Sequence, residues 1–137
     1  MKGVLYVNDS KATNVSAAIA ALRSFGGGVH AILGGSLKGG GFAELAPVAS
    51  ERCVACYLIG EAAERLRADL ASSGVELLEH ADLEAALAVA AQRARPGETV
   101  LLSPACASFD QFTDFEERGE RFRSLVERLA TGSGEDQ

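Results

Sequence analysis

Two loops of this chain combine a lysine with hydroxyl or backbone groups that bind anions in proteins. Lys11 lies between Ser10 and Thr13, directly after a short apolar run. Lys38 lies in the glycine-rich segment 34–41, where a backbone without side chains can approach a ligand closely. Two lysines and several hydroxyls would suit a ligand with two carboxylates, or with one carboxylate and one phosphate.

A third polar loop follows the last apolar run of the chain, Val100–Leu102. This loop contains Ser103, Cys106 and Ser108. An apolar run that breaks into serine and proline is typical of a buried strand that ends in a polar loop. In open α/β sheets, ligands bind outside the carboxyl ends of such strands. The three loops are therefore the expected place of the functional site.

The first two loops also have an interpretation that needs no ligand. Asp9, Ser10 or Thr13 would cap the helix predicted to begin after the first loop. A glycine loop with a lysine is as typical of a surface turn as of an anion site, and the sequence lacks the P-loop and dinucleotide-binding orders of glycine and lysine. A lysine beside the positive end of a helix does not stabilise that helix, so a bound anion would compensate its charge.

Short apolar runs alternate along the chain with longer helical patterns. This alternation predicts right-handed βαβ connections and a mostly parallel sheet that helices cover on both faces. The predicted strands are Gly3–Val7, Val29–Leu33, Val54–Ile59, Val75–Leu78 and Thr99–Leu102. The predicted helices are Asn14–Ser24, Phe42–Ser50, Glu61–Ser73, Leu83–Arg95 and Phe115–Leu129.

Length and composition indicate one folded domain. The chain has 137 residues, of which 47% are hydrophobic, and its net charge of −6 disfavours nucleic acid as a partner. No apolar run is long enough to span a membrane, and no signal peptide is recognisable. The domain is expected over residues 1–130, with a disordered tail over 131–137. The charged stretch 116–127 is interpreted as a solvated helix face, with Arg118 as a candidate for a domain contact.

The cysteines and histidines receive structural interpretations. Three cysteines, an odd number, favour a reducing, cytoplasmic setting. Cys53 and Cys56 have thiol-redox spacing, but at the start of a strand we expect them to point to opposite faces. Cys106 is expected to be a small packing residue, His30 a structural residue and His80 a solvated loop residue. The sequence shows no metal-ligand cluster, so no metal site is predicted.

Three motifs together resemble the C-terminal domain of the Mur ligase family, and in particular of its D-glutamate-adding branch. They are NDSKATN at 8–14, LGGSLKGGGF at 33–42, and LLSPACASFDQF at 101–112 with Phe115, Arg118 and Gly119 after it. The motifs follow the family's order and cover nearly the whole chain. The resemblance implies a Rossmann-like, three-layer α/β domain with about five or six mostly parallel strands.

The resemblance also implies which residues bind the amino acid. Thr13 and Lys38 would bind one carboxylate of D-glutamate. Ser108, with backbone amides near Phe109 and Phe115, would bind the other carboxylate. The enzyme so implied joins D-glutamate to UDP-N-acetylmuramoyl-L-alanine through an acyl phosphate, in the biosynthesis of peptidoglycan.

The remaining implications concern ATP and the rest of the enzyme. Asp9 would reach the ribose of ATP, and Lys11 would act as a catalytic residue near the phosphates. ATP and Mg²⁺ would serve the full-length enzyme, together with UDP-binding and central ATPase domains that this chain lacks. The chain alone is expected to bind no cofactor, to be inactive and to be a monomer. Gly41 departs from the family, which usually has an acidic residue before the phenylalanine at 42.

Two other function classes stay open. One is a stand-alone binding module for an acidic amino acid or a nucleotide, without catalysis. The other is a flavodoxin-like or nucleotide-binding regulator, which only the predicted fold suggests.

Overall fold

The computed structural model describes residues 3–37, 41–108 and 110–135, with side chains described as far as residue 130. Its strands are β1 (Leu5–Asn8), β2 (Val29–Gly34), β3 (Cys53–Ile59), β4 (Glu76–Glu79) and β5 (Thr99–Leu102). Its helices are α1 (Val15–Arg23), α2 (Leu45–Arg52), α3 (Ala63–Leu70), α4 (Leu83–Arg93) and α5 (Phe115–Glu135). A 3₁₀ turn, Ala71–Ser73, follows α3. Each predicted strand and helix is present; β5 has the predicted bounds, and the other elements differ from the prediction at one or both ends.

The five strands form one parallel sheet in the order β1-β5-β2-β3-β4. The chain returns from β4 through α4 and inserts β5 between β1 and β2. This topology confirms the predicted α/β class with a parallel sheet of five or six strands. Because the strands run in the same direction, the loops that follow them meet at one edge of the sheet.

Helices cover both faces of the sheet, as the sequence predicts. One hydrophobic core lies between the sheet and α1, α2 and α3, and a second lies between the sheet and α4 and α5. Each fully buried large aliphatic side chain stabilises the fold by about 1.5–3 kcal/mol relative to exposure. The first core includes Leu22, Leu45 and Leu66, and the second includes Leu83, Leu87 and Phe122.

The N-terminus of α1 is capped by Asn14, whose side-chain oxygen accepts a hydrogen bond of 2.8 Å from the Ala17 amide. The alternative that Asp9, Ser10 or Thr13 caps this helix is therefore wrong. Asparagine is as good a cap as serine or aspartate, and it stands directly before the first helical residue. The polar groups of the preceding loop are thereby left for other contacts.

The start of β3 corrects the prediction for the two cysteines. The register pairs Cys53 with Val29 but Ala55 with the residue next to Val29, so Val54 is an extra residue in the ladder. Such a bulge breaks the alternation of faces along a strand. Cys53 consequently packs against the same core that contains Cys56. The neighbouring Cys53 side chain and burial together raise the pKa of the Cys56 thiol.

The two histidines lie on either side of Tyr57. His30 is buried, as expected, with Nδ1 at 2.8 Å from the Tyr57 hydroxyl and Nε2 at 2.8 Å from Glu98 Oε1. The prediction of a solvated His80 is wrong. Its ring stacks on Tyr57 with a centroid distance of 6.0 Å, and its Nε2 is buried without a hydrogen-bond partner among the described residues. Burial lowers the pKa of His80.

Helix α5 is longer than predicted. It begins at Phe115 as expected but continues to Glu135, beyond the predicted end at Leu129. The backbone of residues 131–135, expected to belong to a disordered tail, is therefore helical, while residues 136 and 137 lie outside the described part. None of the helices in the described ranges is both long and apolar enough to cross a membrane.

Candidate functional site

The loops after β1 and β5 leave the same edge of the sheet toward opposite faces. The chain after β1 enters α1 on one face, and the chain after the neighbouring β5 enters α5 on the other. A divergence of this kind between adjacent parallel strands opens a crevice, which is where α/β proteins bind ligands. The described residues on the two sides of this divergence are 9–14 and, apart from Phe109, 103–114.

Asp9 joins the two loops at the base of the crevice. Its amide donates to the Leu102 carbonyl at 2.8 Å, and its carboxylate accepts a hydrogen bond of 3.0 Å from the Ser103 hydroxyl. Further along, the Ala105 amide donates to the Ala12 carbonyl at 2.9 Å. The first and third loops are thus fixed to each other through backbone and side-chain contacts.

Lys11 and Phe115 lie in one groove, although 104 positions separate them in the sequence. Lys11 is exposed, and Phe115 is 40% exposed at the first position of α5. The groove has a volume of about 320 Å³ and also contacts Glu116 and Glu120. The Lys11 ammonium and the Phe115 ring are therefore available to a ligand in this groove.

Thr13 belongs to the same loop as Lys11. Its amide donates to the Lys11 carbonyl at 2.8 Å, and the neighbouring Ala12 carries the contact to the third loop. Since Asn14 caps α1, the Thr13 hydroxyl is not needed for that purpose. Thr13 is half-buried at the crevice.

Ser108 is the most informative of the predicted site residues. Its side chain is 2% exposed, and its hydroxyl has no hydrogen-bond partner within the described residues. Its carbonyl accepts hydrogen bonds from the Gln111 and Phe112 amides at 3.2 and 2.8 Å, which fixes the turn that follows. A buried hydroxyl without a partner is unfavourable, and a ligand oxygen would satisfy it. Phe109, its predicted neighbour in the site, lies outside the described residues.

The glycine-rich loop begins by packing tightly against its neighbours. A Cβ on Gly34 would overlap the Ile59 carbonyl, and one on Gly35 would overlap the Ala107 carbonyl. The Ser36 amide donates to the Ala107 carbonyl at 2.7 Å. The loop is therefore fixed against the Ser108 loop as far as its last described residue, whereas Lys38 lies outside the described residues.

Gly41, where the resemblance to the family predicts an acidic residue, packs closely against α3. A Cβ at Gly41 would lie 3.0 Å from Arg65 Nη2 and 3.1 Å from Asp69 Oδ2. Asp69 accepts a hydrogen bond of 2.7 Å from the amide of the buried Phe42. A longer side chain at 41 would crowd the Arg65–Asp69 ion pair, so glycine suits this arrangement.

Arg118 is a site residue whose place sequence reasoning missed. It was expected on a solvated face, but it is 1% exposed and contacts Ser10 within the same domain. Burial lowers the pKa of its guanidinium to about 10. The signal was present, since Arg118 precedes the buried Phe122 and Leu125 by four and seven positions and so shares their helix face.

Metal and thiol chemistry find no support in the described residues. Within residues 3–37, 41–108 and 110–135, no three His, Cys, Asp or Glu side chains are grouped closely enough to hold a metal ion. Cys106 is buried, and burial raises the pKa of its thiol to about 12. A neutral, buried thiol is unreactive, which agrees with its interpretation as a packing residue.

Comparisons with known proteins agree with the three motifs. The family described as Mur ligase, glutamate ligase domain, matches residues 1–106. The UDP-N-acetylmuramoylalanine--D-glutamate ligase of Koribacter versatilis is 50% identical over 130 residues, which are 95% of this chain and 28% of that protein. The ligase of the same name from Geotalea daltonii is 48% identical, with the same coverage of both chains. The chain thus spans little more than a quarter of these relatives.

Proposed function

Because this chain belongs to the Mur ligase family, as a glutamate ligase domain, we propose that it is the C-terminal domain of the enzyme that adds D-glutamate to UDP-N-acetylmuramoyl-L-alanine. The reaction belongs to peptidoglycan biosynthesis. The observation that carries the proposal is the buried Ser108 hydroxyl, which has no hydrogen-bond partner among the residues that the structure describes. The identity of 50% and 48% with two ligases of this name supports D-glutamate as the substrate of this chain as well.

D-Glutamate has two carboxylates, and the crevice offers two groups of donors for them. Ser108, with amides near Phe109 and Phe115, would bind one carboxylate. Thr13 and Lys38 would bind the other. The backbone contact between Ala105 and Ala12 supports this assignment, because it holds the Thr13 loop beside the Ser108 loop.

ATP would approach the groove of Lys11. The Lys11 ammonium would attract its phosphates, and Asp9 would reach its ribose through the carboxylate oxygen that Ser103 leaves free. One exposed lysine between Glu116 and Glu120 is too little to bind a nucleotide alone, so other domains would supply most of that site. The described residues do not fit Mg²⁺, which other domains would also hold.

ATP supplies the phosphoryl group that activates the L-alanine carboxylate as an acyl phosphate. The residues of this chain would then place the amine of D-glutamate in line with the activated carbonyl. Positioning of this kind can lower a barrier by roughly 7–11 kcal/mol. Closure of the domain would keep water from the acyl phosphate. The isolated chain would be inactive, and the full enzyme would work as a cytoplasmic monomer.

An amide-resolved NMR titration tests the proposal, with D-glutamate as ligand and L-glutamate as the comparison. We expect D-glutamate to shift the amides of Thr13, Lys38, Ser108 and Phe115. The Ser108→Ala variant should lose these shifts. The matched variant Ser24→Ala removes an exposed serine at the end of α1 and should keep them.

Two results would contradict the proposal. Equal shifts with both enantiomers would mean that the crevice recognises charge and not D-glutamate. The second result is that D-glutamate causes no shift at high concentration and that the full-length ligase with Ser108→Ala keeps its KM for D-glutamate. This result would show that Ser108 and the crevice do not bind the amino acid.

A further inference from the structure

Arg118 is a buried cation that forms no ion pair with any residue the structure describes. Its Nε donates to the Ser10 hydroxyl at 2.9 Å, and its Nη2 donates to the Ser10 carbonyl at 2.7 Å. Its Nη1 is inaccessible and has no hydrogen-bond partner among the described residues. Both groups that bind the guanidinium are neutral, so no described carboxylate compensates its charge at close range.

Such an arrangement is energetically unfavourable unless another charge completes it. A buried ion is removed from water, and an uncompensated one destabilises the folded state. At neutral pH the group nevertheless stays protonated, because its pKa of about 10 is well above that pH. Asp110 acts on it electrostatically, but Asp110 is exposed, and its Oδ2 already accepts a hydrogen bond from the Glu61 amide.

The unpartnered nitrogen lies under the edge of the sheet where the loops meet. A Cβ built on Gly35 would be 3.1 Å from Arg118 Nη1 and 3.0 Å from the Cys106 Cβ. Gly35 begins the loop that leads to Lys38, and Cys106 lies two residues before Ser108. The guanidinium therefore lies close to Gly35 and Cys106, which belong to two of the loops that line the crevice.

Arg118 also fixes the first loop, which contains Ser10, to the start of α5. Ser10, which the guanidinium holds by two hydrogen bonds, donates its hydroxyl to the Phe115 carbonyl at 2.7 Å. Asn8 donates to the Gly119 carbonyl at 3.1 Å, and a Cβ on Gly119 would crowd Asn8 at the same distance. Lys11, next to Ser10, is consequently held at a defined distance from the Phe115 backbone.

We propose that Arg118 is a positioning residue of the crevice, whose buried positive charge attracts the carboxylate of the ligand through the intervening loop backbone. The anionic ligand then supplies the charge that the folded protein leaves uncompensated. This inference rests on the proposed binding of D-glutamate and adds a charge to the set of groups that determine its affinity.

The test compares three variants of the 137-residue chain by NMR titration with D-glutamate up to high concentration. Arg118→Met removes the charge and should weaken binding by about tenfold or more. Arg118→Lys keeps the charge but loses the planar two-point contact with Ser10, so it should unfold more easily yet bind within about threefold of the unaltered chain. Arg121→Met is the matched control, because it removes an exposed arginine from the next turn of the same helix and should bind normally.

A purely structural role would give a different pattern. In that case Arg118→Lys would lose affinity in proportion to its loss of stability, as Arg118→Met would. That result, or unchanged affinity in Arg118→Met, would overturn the proposal while leaving D-glutamate binding by the other variants intact.

Failure of the proposed function is recognised separately. If the unaltered chain and Arg121→Met bind inorganic phosphate but not D-glutamate, the proposed substrate is wrong. The three variants are then compared by titration with phosphate, and their affinities for phosphate test the role of Arg118. Binding of neither anion would overturn the inference as well.

A measurement on the unaltered chain covers the case in which Arg118→Met fails to fold. The Nε–H signal of Arg118 should move during the titration, whereas that of the exposed Arg121 should stay in place. A stationary Arg118 signal during saturating binding would contradict the proposal.

Discussion

The carboxylate of Glu61 accepts a hydrogen bond of 2.7 Å from the backbone amide of Leu37, the residue that precedes Lys38. Glu61 is itself held at the start of α3, because its own amide donates to Asp110 Oδ2 at 3.0 Å. The Asp110 amide in turn donates to the Ser36 hydroxyl at 3.0 Å. The loop that leads to Lys38 is therefore held from the side by the Glu61 carboxylate and by the backbone amide of Asp110.

The first prediction concerns this contact. Glu61→Ala should weaken D-glutamate binding by about threefold to tenfold, because it frees the backbone before Lys38. Glu61→Gln keeps an oxygen acceptor and should have a smaller effect. Glu64→Ala, at an exposed position one turn along α3, is the control and should bind normally. Equal affinities of Glu61→Ala and Glu64→Ala would show that the contact does not position Lys38.

The two lysines should affect different substrates in the full-length ligase. Lys38→Ala should raise the KM for D-glutamate far more than the KM for ATP, because Lys38 is assigned to a carboxylate of the amino acid. Lys11→Ala should lower kcat and raise the KM for ATP, because Lys11 is assigned to the phosphates. Steady-state kinetics with each substrate varied in turn separates the two effects, and equal effects of both variants on both substrates would contradict the assignment.

The tight start of the glycine loop predicts a large loss of stability. Gly34 has φ of 131°, and a Cβ there would overlap the Ile59 carbonyl. Gly34→Ala should lower the free energy of unfolding by about 3 kcal/mol or more. Gly26→Ala is the control, since no atom lies within 4 Å of its Cβ position, and it should change the free energy by less than about 1 kcal/mol. Urea denaturation measures both, and similar midpoints would be inconsistent with this packing.

The half-buried His80 ring, whose Nε2 is inaccessible, predicts a dependence of stability on pH. Because burial lowers its pKa in the folded state, the unfolded chain takes up the proton first as the pH falls through the ordinary value of 6.5. The free energy of unfolding should therefore decrease on acidification below about pH 6.5. His80→Phe keeps a ring against Tyr57 and removes the buried nitrogen, so its curve should fall less between pH 7.5 and 5. Parallel curves for the two proteins in urea denaturation would refute the prediction.

The fold could be predicted because local patterns determine it almost alone. Apolar runs of strand length alternate with amphipathic stretches of helix length, and a parallel sheet is the arrangement that such a chain adopts. The errors lie where a single residue changes the local geometry. The bulge at Val54 brings Cys53 and Cys56 to one face, and no periodicity argument reveals an extra residue in a ladder.

The position of the candidate site's loops was predictable, and their packing was less so. Hydroxyls, lysines and glycines after apolar runs indicate the end of the sheet where α/β proteins bind ligands. Ser108 and Lys11 lie in loops at that end, and their roles in binding stay predictions. The charged stretch 116–127 predicts a solvated helix face, with Arg118 as a candidate for a domain contact. The helix face that Arg118 shares with Phe122 and Leu125 indicates its burial, but no local pattern contains its contact with Ser10, more than a hundred positions away.

The insertion of β5 between β1 and β2 also has a consequence for the order of folding. Within the described chain, β1 pairs only with β5, and 94 positions separate their aligned residues Leu5 and Thr99. A nascent chain that has emerged only as far as α4 can pair β2, β3 and β4 with one another. At that stage β1 is unpaired, because its partner β5 follows α4 in the sequence. Closing a loop of this length is slow compared with local steps. The Lys11 loop, which follows β1, should therefore acquire its native place among the last parts of the molecule.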